Sequence, residues 1–321
     1  MLKAGLVGAG HLGKIHLKLL QQSDKYELVG FHDADKENGK RLEQELGYKF
    51  FENFDELLSE IEVLDIVTPT LYHYDYAQKA IARGLHFFIE KPVTQTLEQA
   101  EEIIDLCQKN AIKAQVGHVE RYNPAFISSK HFINNPMFIE IHRLAEFNPR
   151  GTDVSVVLDL MIHDLDILLS IVKSKVCNIQ ASGVCVVSKT PDIANARIEF
   201  ENGCVANLTT SRISMKAMRK SRFFQKDAYI SVDFLEKKAE VIRIKEAPEN
   251  PTPFDMIIEN ADGEKSQIFF EYPDVQPNNA ILDELNSFAD SIMNNQPVEV
   301  SLEDGTEALK VALEIMKLIE K

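Results

Sequence analysis

Basic residues are scarce in this chain: 35 lysines and arginines stand against 50 aspartates and glutamates, a formal net charge of −15 at pH 7. General binding to nucleic acid or to an anionic membrane surface needs a basic face, so neither is expected as a partner. An anionic ligand would need a local basic pocket instead. Cysteine is scarce too. The four present (Cys107, Cys177, Cys185 and Cys204) make no C-x-x-C pair and no zinc spacing, which fits free thiols and a cytoplasmic location. No apolar run approaches the roughly 20 residues that span a bilayer. The N-terminus enters a strand without the design of a signal peptide. Internal repeats, low-complexity tracts and long linkers are also missing. What remains is an ordinary globular composition, 45% hydrophobic and 26% charged over 321 residues, enough for two domains with cores of their own.

The most informative stretch comes first. Ala4 to Val7 is a short apolar run, and it ends in Gly8-Ala9-Gly10-His11-Leu12-Gly13, the spacing G-x-G-x-x-G. Leu12 to Leu20 then has helical periodicity, with Leu12, Ile15, Leu19 and Leu20 on one face. In a strand–turn–helix of this kind Gly8 permits the tight turn, Gly10 lets backbone approach a pyrophosphate, and Gly13 lets helix pack on strand. The helix N-terminus offers N–H groups and a positive dipole end to the phosphates. Tyr26 to Phe31 reads as the next strand, followed by Asp33, 20 residues beyond Gly13. A carboxylate there accepts hydrogen bonds from an adenosine ribose and repels a 2′-phosphate, which favours NAD over NADP. The alternative for Asp33 is capping the next helix, but Asp35 is better placed for that.

From Met1 to about His118 strands and helices alternate, which argues for a parallel sheet wound on both faces. Phe50-Phe51 and Val63 to Val67 read as strands, with Asn53 capping the helix between them. Tyr74 to Arg83 is a helix stopped by Gly84; His86 to Ile89 is a strand, Leu97 to Asn110 a helix, and Ile112 to Val116 a last strand. Ligands of such sheets lie beyond the carboxyl ends of the strands. Two ends carry unusual residues, Thr68-Pro69 through His73 and Glu90-Lys91-Pro92. Lys91 is either a solvated strand-end charge or a group aimed into the crevice. Local physics does not separate the two.

Beyond residue 120 the pattern changes. Phe138 to Ala145 is a strand and Ser155 to Lys173 a helix. Ile193 to Phe200, the turn Asn202-Gly203 and Val205 to Thr210 make a hairpin. Strands at Ala228 to Phe234, Ala239 to Ile244 and Gln267 to Phe270 complete a mostly antiparallel sheet. Two amphipathic helices close the chain, Ala280 to Met293 and Leu302 to Glu320, the second with a Ser301/Asp304 capping box. The expected architecture is α/β: a Rossmann domain over residues 1–120 and an α+β domain over residues 121–321 for substrate binding and oligomerisation.

One helix in the second half mixes charge with apolar bulk. Asp159, His163 and Asp166 are spaced i, i+4, i+7 and so share a face of a straight α-helix. Ionisable groups on so apolar a helix must be paired or line a polar cavity; the alternative is a solvated stripe. The stripe supplies too few ligands for a metal. The basic run Arg212, Lys216, Arg219, Lys220 and Arg222 is either a diphosphate cradle or a solvated charge run.

The ordered set Gly8-Ala9-Gly10-His11-Leu12-Gly13, Thr68-Pro69, His73, Glu90-Lys91-Pro92 and Asp159-x-x-x-His163 resembles the Gfo/Idh/MocA oxidoreductase family over nearly the whole chain. The segments 117–125, 148–154 and 157–166 look like those of UDP-N-acetylglucosamine 3-dehydrogenases, with Ser155 where that branch suggests glycine. The resemblance implies an NAD-dependent dehydrogenase acting on a sugar hydroxyl, with C3 of a UDP-N-acetylhexosamine favoured. A cyclitol or free-sugar dehydrogenase and a silent NAD-binding sensor are the rivals. It further implies a cofactor site of Gly8, Gly10, His11, Leu12, Gly13 and Asp33, joined by Thr68, Pro69, His73, Glu90 and Lys91. The implied chemistry falls to Lys91 beside the nicotinamide, His163 facing the substrate hydroxyl, and Asp159 beside them. For the substrate, Arg121, Asn123, Arg143 and Arg150 are the candidates. The family commonly pairs the open faces of its C-terminal sheets, so a homodimer or homotetramer is expected, with Val205, Leu208 and Ile230 as contributors.

Overall fold

The computed structural model describes residues 1–148, 154–250, 252 and 255–320. They form two compact units, Met1–Val119 with Asn279–Lys310, and Glu120–Asn278 with Val311–Lys321. The break in the chain falls where the composition changes, but the stretch from Asn279 to Lys310 returns to the first unit rather than staying with the second.

In the first unit β1 (Leu2–Val7), α1 (His11–Gln22), β2 (Tyr26–His32), α2 (Lys36–Leu46) and α3 (Phe54–Glu60) follow in order. β3 (Val63–Ile66), α4 (His73–Ala82), β4 (His86–Glu90), α5 (Leu97–Lys109) and β5 (Ala114–Gly117) continue the alternation. The five strands are parallel in the order β2-β1-β3-β4-β5. Phe50-Phe51 is not a full strand; Phe50 makes a single bridge to Phe31. Asp35, Asn53 and Thr96 cap α2, α3 and α5 with their side chains, so the capping role does fall to Asp35 and leaves Asp33 for other work. β3 and β5 are buried at every position, as strands covered on both faces require. α8 (Ala280–Met293) joins this unit because its apolar face is needed there. Leu285, Phe288 and Ala289 share a core with Leu17, Leu20 and Phe88, and the Leu285 carbonyl accepts the Tyr26 hydroxyl at 2.7 Å.

The second unit contains α6 (Pro124–Ser129), β6 (Phe138–Leu144), a π-helical turn at Val157–Met161 and α7 (Ile162–Ile171). Then come β7 (Val176–Val184), β8 (Ile193–Phe200), β9 (Val205–Ser211), β10 (Met218–Phe224) and β11 (Ala228–Asp233). β12 (Lys238–Glu246), β13 (Met256–Glu259) and β14 (Lys265–Glu271) complete a nine-stranded sheet, ordered β13-β14-β12-β11-β10-β6-β9-β8-β7. Every pair is antiparallel except β6 with β9. Ser301 and Asp304 cap α9 (Leu302–Ile319) reciprocally, each backbone N–H donating to the other's side chain at 3.0 and 3.1 Å.

Alternation decides which face is covered. Ile139 and Ile141 on β6, Leu208 on β9, Phe223 on β10 and Ile230 on β11 pack with Val157, Leu165 and Leu168 in one core. Leu208 and Ile230 are therefore interior residues, and neither can contribute to an open face as expected. The basic run lies largely on β10, where Arg222 pairs with Glu140 at 3.0 Å and Lys220 approaches Asp233 at 4.0 Å. Arg212 is buried and donates to the Val154 carbonyl at 2.7 Å. These groups serve the sheet, not a cradle. Among the described residues no helix is long and apolar enough to cross a membrane.

Candidate functional site

β1 runs into the glycine turn and α1 because the turn leaves no room for side chains. Gly8 has φ +95°, and a Cβ there would stand 2.8 Å from the Thr68 backbone nitrogen. At Gly13 a Cβ would stand 2.0 Å from the Gly8 carbonyl oxygen, so the helix packs on the turn only with glycine. At Gly10 the same atom would meet nothing within 4 Å; the space over it is open. Gly10 is the N-cap of α1 and brings no side chain to its first turn, unlike the capped α2, α3 and α5. Backbone N–H groups at the helix start then suit an anion.

A cavity of about 610 Å³ opens over this turn and is lined by Gly8, Gly10, His11, Leu12, Asp33, Thr68, Pro69, Glu90 and Lys91. Nine of the sequence candidates are thus brought to one place. Two are not on its wall. Gly13 lies beneath, and His73 is 1% exposed. His73 braces the cavity from behind: Nδ1 meets the Pro92 carbonyl oxygen at 2.9 Å and Nε2 the Thr68 carbonyl oxygen at 2.8 Å. Burial pushes its pKa down, against the pull of those two carbonyls. Val7, Ala34, Val67, Tyr72 and Tyr76 also line the cavity and were missed. The two tyrosines sit four apart, one turn of helix, but only the fold tells which turn faces the cleft. Burial, with the nearby Asp33 carboxylate, raises the Tyr76 pKa.

The cradle fits a dinucleotide: glycine where a phosphate must approach, an uncapped helix start, and a carboxylate on the next strand end. Its size suits part of such a ligand held in the first unit.

In the second unit the expected helix is divided. A π turn over Val157–Met161 precedes α7, so the i, i+4, i+7 spacing does not project as on a straight α-helix. Asp159 is exposed and His163 half-buried, while Asp166 is 1% exposed and committed to Arg121. Arg121 Nε donates to Asp166 Oδ2 at 2.8 Å and Nη2 to Oδ1 at 2.6 Å, a two-pronged fork. Asp166 leaves the proposed stripe for that reason.

Arg143 corrects another expectation. It is 2% exposed on the inward face of β6. Nε and Nη2 hold Asp164 at 2.9 and 2.8 Å, and Nη1 holds Glu120 at 2.9 Å. Burial disfavours its charge, but Asp164 and Glu120 outweigh that and keep the guanidinium protonated. Such a group is not presented to a phosphate. Asn123 is likewise spent, accepting the Ala125 N–H as the cap of α6 and donating to Glu120 and the Phe234 carbonyl. Arg150 lies outside the described residues. The Glu120 and Asp164 partners were missed; a third aspartate on so apolar a helix was the available signal. Among the described residues no group of three or more His, Cys, Asp or Glu is placed to hold a metal ion.

Residues 2–118 match the model of an oxidoreductase family with an NAD-binding Rossmann fold, and residues 133–225 match a GFO/IDH/MocA C-terminal domain. The chain is 32% identical to UDP-N-acetylglucosamine 3-dehydrogenase of Acidithiobacillus ferrooxidans, covering 99% of this chain and 97% of that protein. A solved structure of the UDP-N-acetylglucosamine 3-dehydrogenase from that organism superposes with a TM-score of 0.89 at 31% identity, covering 99% and 98% of the two chains. scyllo-Inositol 2-dehydrogenase (NAD(+)) of Bacillus subtilis is 27% identical over 66% of this chain and 68% of its own.

Proposed function

The chain belongs to the Gfo/Idh/MocA oxidoreductase family, and from that premise we propose that it is an NAD-dependent dehydrogenase oxidising C3 of a UDP-N-acetylhexosamine. One observation carries the reading. The glycine turn, Asp33 and the Glu90-Lys91 strand end line a single cavity, in a chain alike over almost its full length to an enzyme named for that reaction.

A bound nicotinamide would supply the hydride acceptor; the protein's own residues supply geometry and a proton acceptor. The turn from Gly8 to Gly13 would hold the pyrophosphate, and Asp33 would receive the adenosine ribose and disfavour a 2′-phosphate. Lys91, leaving β4 into the cavity, donates a hydrogen bond to the reacting oxygen and favours its alkoxide-like form. His163 takes the hydroxyl proton, since an imidazole accepts protons near neutral pH, and Asp159 orients the ring or a neighbouring hydroxyl. With Arg121, Arg143 and Asn123 spent within the fold, Arg150 remains from the arginine set for the diphosphate.

We also propose that two copies associate through the uncovered face of the nine-stranded sheet. Met256, Ile258 and Phe270 on its outer strands, with Ile244 beside them, are 42–53% exposed, and the register sets them on the side away from the core. A second copy covers such a patch most simply.

The test is a panel of UDP-sugars, free sugars and inositols with NAD, followed by reduced-nicotinamide absorbance. Turnover confined to UDP-N-acetylhexosamines is the expected result. Turnover with inositols alone gives the cyclitol reading, and NAD binding without turnover gives the sensor.

A further inference from the structure

His16 lies on α1, one turn past the glycine loop, and is 0% exposed. Its Nδ1 is 2.9 Å from Asp65 Oδ2 on β3. Its Nε2 is 3.4 Å from Glu90 Oε1 on β4, an ion pair longer than a good hydrogen bond. Asp65 is 2% exposed. One imidazole thus stands between two carboxylates on neighbouring strands. Burial alone would expel its proton, but Asp65 and Glu90 outweigh burial and the His16 pKa is pushed up to about 10.

Glu90 is fixed on its other sides too. Its Oε2 accepts the Lys91 backbone N–H at 3.2 Å. On β5 Gly117 leaves the space it occupies, since a Cβ there would be 2.8 Å from Glu90 Oε1. A His–Asp pair alone would satisfy His16 as a packing element. The third member needs another explanation, because Glu90 lines the cofactor cavity and adjoins Lys91.

We propose that His16 is a positioning residue: it holds the Glu90 carboxylate from behind and, through the Glu90–Lys91 contact, fixes the direction in which Lys91 leaves β4. The proposal rests on the role given to Lys91 above. On α4, buried His73 stands between the Pro92 and Thr68 carbonyls and, as a neutral ring, donates to one of them. The strand end that carries Lys91 is therefore gripped from two helices, α1 and α4.

The experiment has an arm free of activity. In protein labelled with ¹⁵N-histidine, one ring is expected to keep both nitrogens protonated at pH 9 and to vanish in His16→Gln. In Glu90→Gln the same ring should lose its proton at lower pH. If no histidine remains doubly protonated at pH 9, the bridge is absent and the proposal falls. The second arm measures NADH binding by fluorescence beside kcat and KM. His16→Gln and Glu90→Gln are each expected to lower kcat about tenfold or more while NADH affinity stays within about threefold. An equal loss of NADH affinity would mean that His16 only packs the glycine-loop helix, and overturns the proposal. Unchanged kcat in both variants, with Lys91→Ala inactive, overturns it as well. If Lys91→Ala keeps full turnover, the reading of Lys91 fails instead, and the labelled-histidine result still judges the bridge. Should His16→Gln not fold, Glu90→Gln keeps the side-chain shape and carries both arms.

Discussion

Asp33 Oδ2 accepts the backbone N–H of Ala9 at 2.8 Å, which ties the end of β2 to the middle of the glycine turn. Its Oδ1 accepts the Asp35 N–H at 2.9 Å. The carboxylate is thus a strut as well as a candidate ribose acceptor, and removing it removes both. Asp33→Ala is expected to weaken NAD binding about tenfold or more, from the lost ribose contact and the freed turn together. The gap between NAD and NADP should narrow, because repulsion of the 2′-phosphate goes with the charge. Titration showing that the unaltered protein binds NADP more tightly than NAD would overturn the assignment.

The forks from Arg121 to Asp166 and from Arg143 to Asp164 and Glu120 should matter to stability, not to substrate affinity. Removing one partner strands a buried charge, which costs about 3–5 kcal/mol. Arg143→Met is expected to lower the unfolding free energy by that order, read from the shifted denaturation midpoint, and Arg121→Met similarly. Lysine in either place cannot reproduce the fork and should recover only part of the loss. If Arg143→Lys instead raises KM for a UDP-sugar with stability untouched, the guanidinium does meet the substrate.

His16 also gives stability a pH dependence with a definite sign. Its folded pKa, near 10, lies above the ordinary value of 6.5, so the charged ring favours the fold most fully below pH 6.5. That contribution declines as pH rises from about 6.5 and is gone above about 10. Thermal melts should show a fall in Tm across this window that is flatter in His16→Gln. Parallel curves for the two proteins would show that the ring carries no such linkage.

What was legible in the sequence is what depends on near neighbours. The glycine turn, the Asp35 cap two to three residues from its N–H donors, and the Ser301–Asp304 box are all local. The parallel sheet followed from alternation of short strands and helices. Illegible features are those settled by partners far along the chain. Arg143 looked like a phosphate ligand because its charge was visible and its partners, Glu120 and Asp164, were not. Which face of β9 and β11 is covered also depends on the helix laid against them, so alternation alone could not say that Leu208 and Ile230 turn to the core. The π turn before α7 shows no glycine or proline to announce it. Likewise, α8 joins the first unit through Tyr26 and Phe88, more than 190 residues away.

The uncovered sheet face predicts its own test. Phe270→Asp and Ile244→Asp place charge on an apolar, exposed patch and should leave the fold intact while dissociating an oligomer. Sedimentation at several concentrations is expected to show a dimer or tetramer for the unaltered protein and a smaller species for the pair of variants. A monomer throughout would remove the proposal.

Two side chains compete as the proton acceptor, His163 and Lys91. A histidine ordinarily titrates near pH 6.5 and a lysine near 10.4, so His163 can accept the hydroxyl proton near neutrality without help. Lys91 would need strong depression from burial or from the positive ring of NAD⁺. The Glu90 carboxylate beside it works the other way, by favouring a charged ammonium; Glu90 itself is kept ionised against burial by His16 and Lys91. His163→Ala is therefore expected to lower kcat by about 100-fold or more with little change in NAD binding. Lys91→Ala should also be crippled, while Lys91→Arg keeps part of the rate by preserving charge. The pH profile of His163→Asn decides between the two. Loss of the limb that reports deprotonation of the base, together with most of the rate, assigns the proton to His163. If that variant keeps the limb and most of its turnover, the base is Lys91.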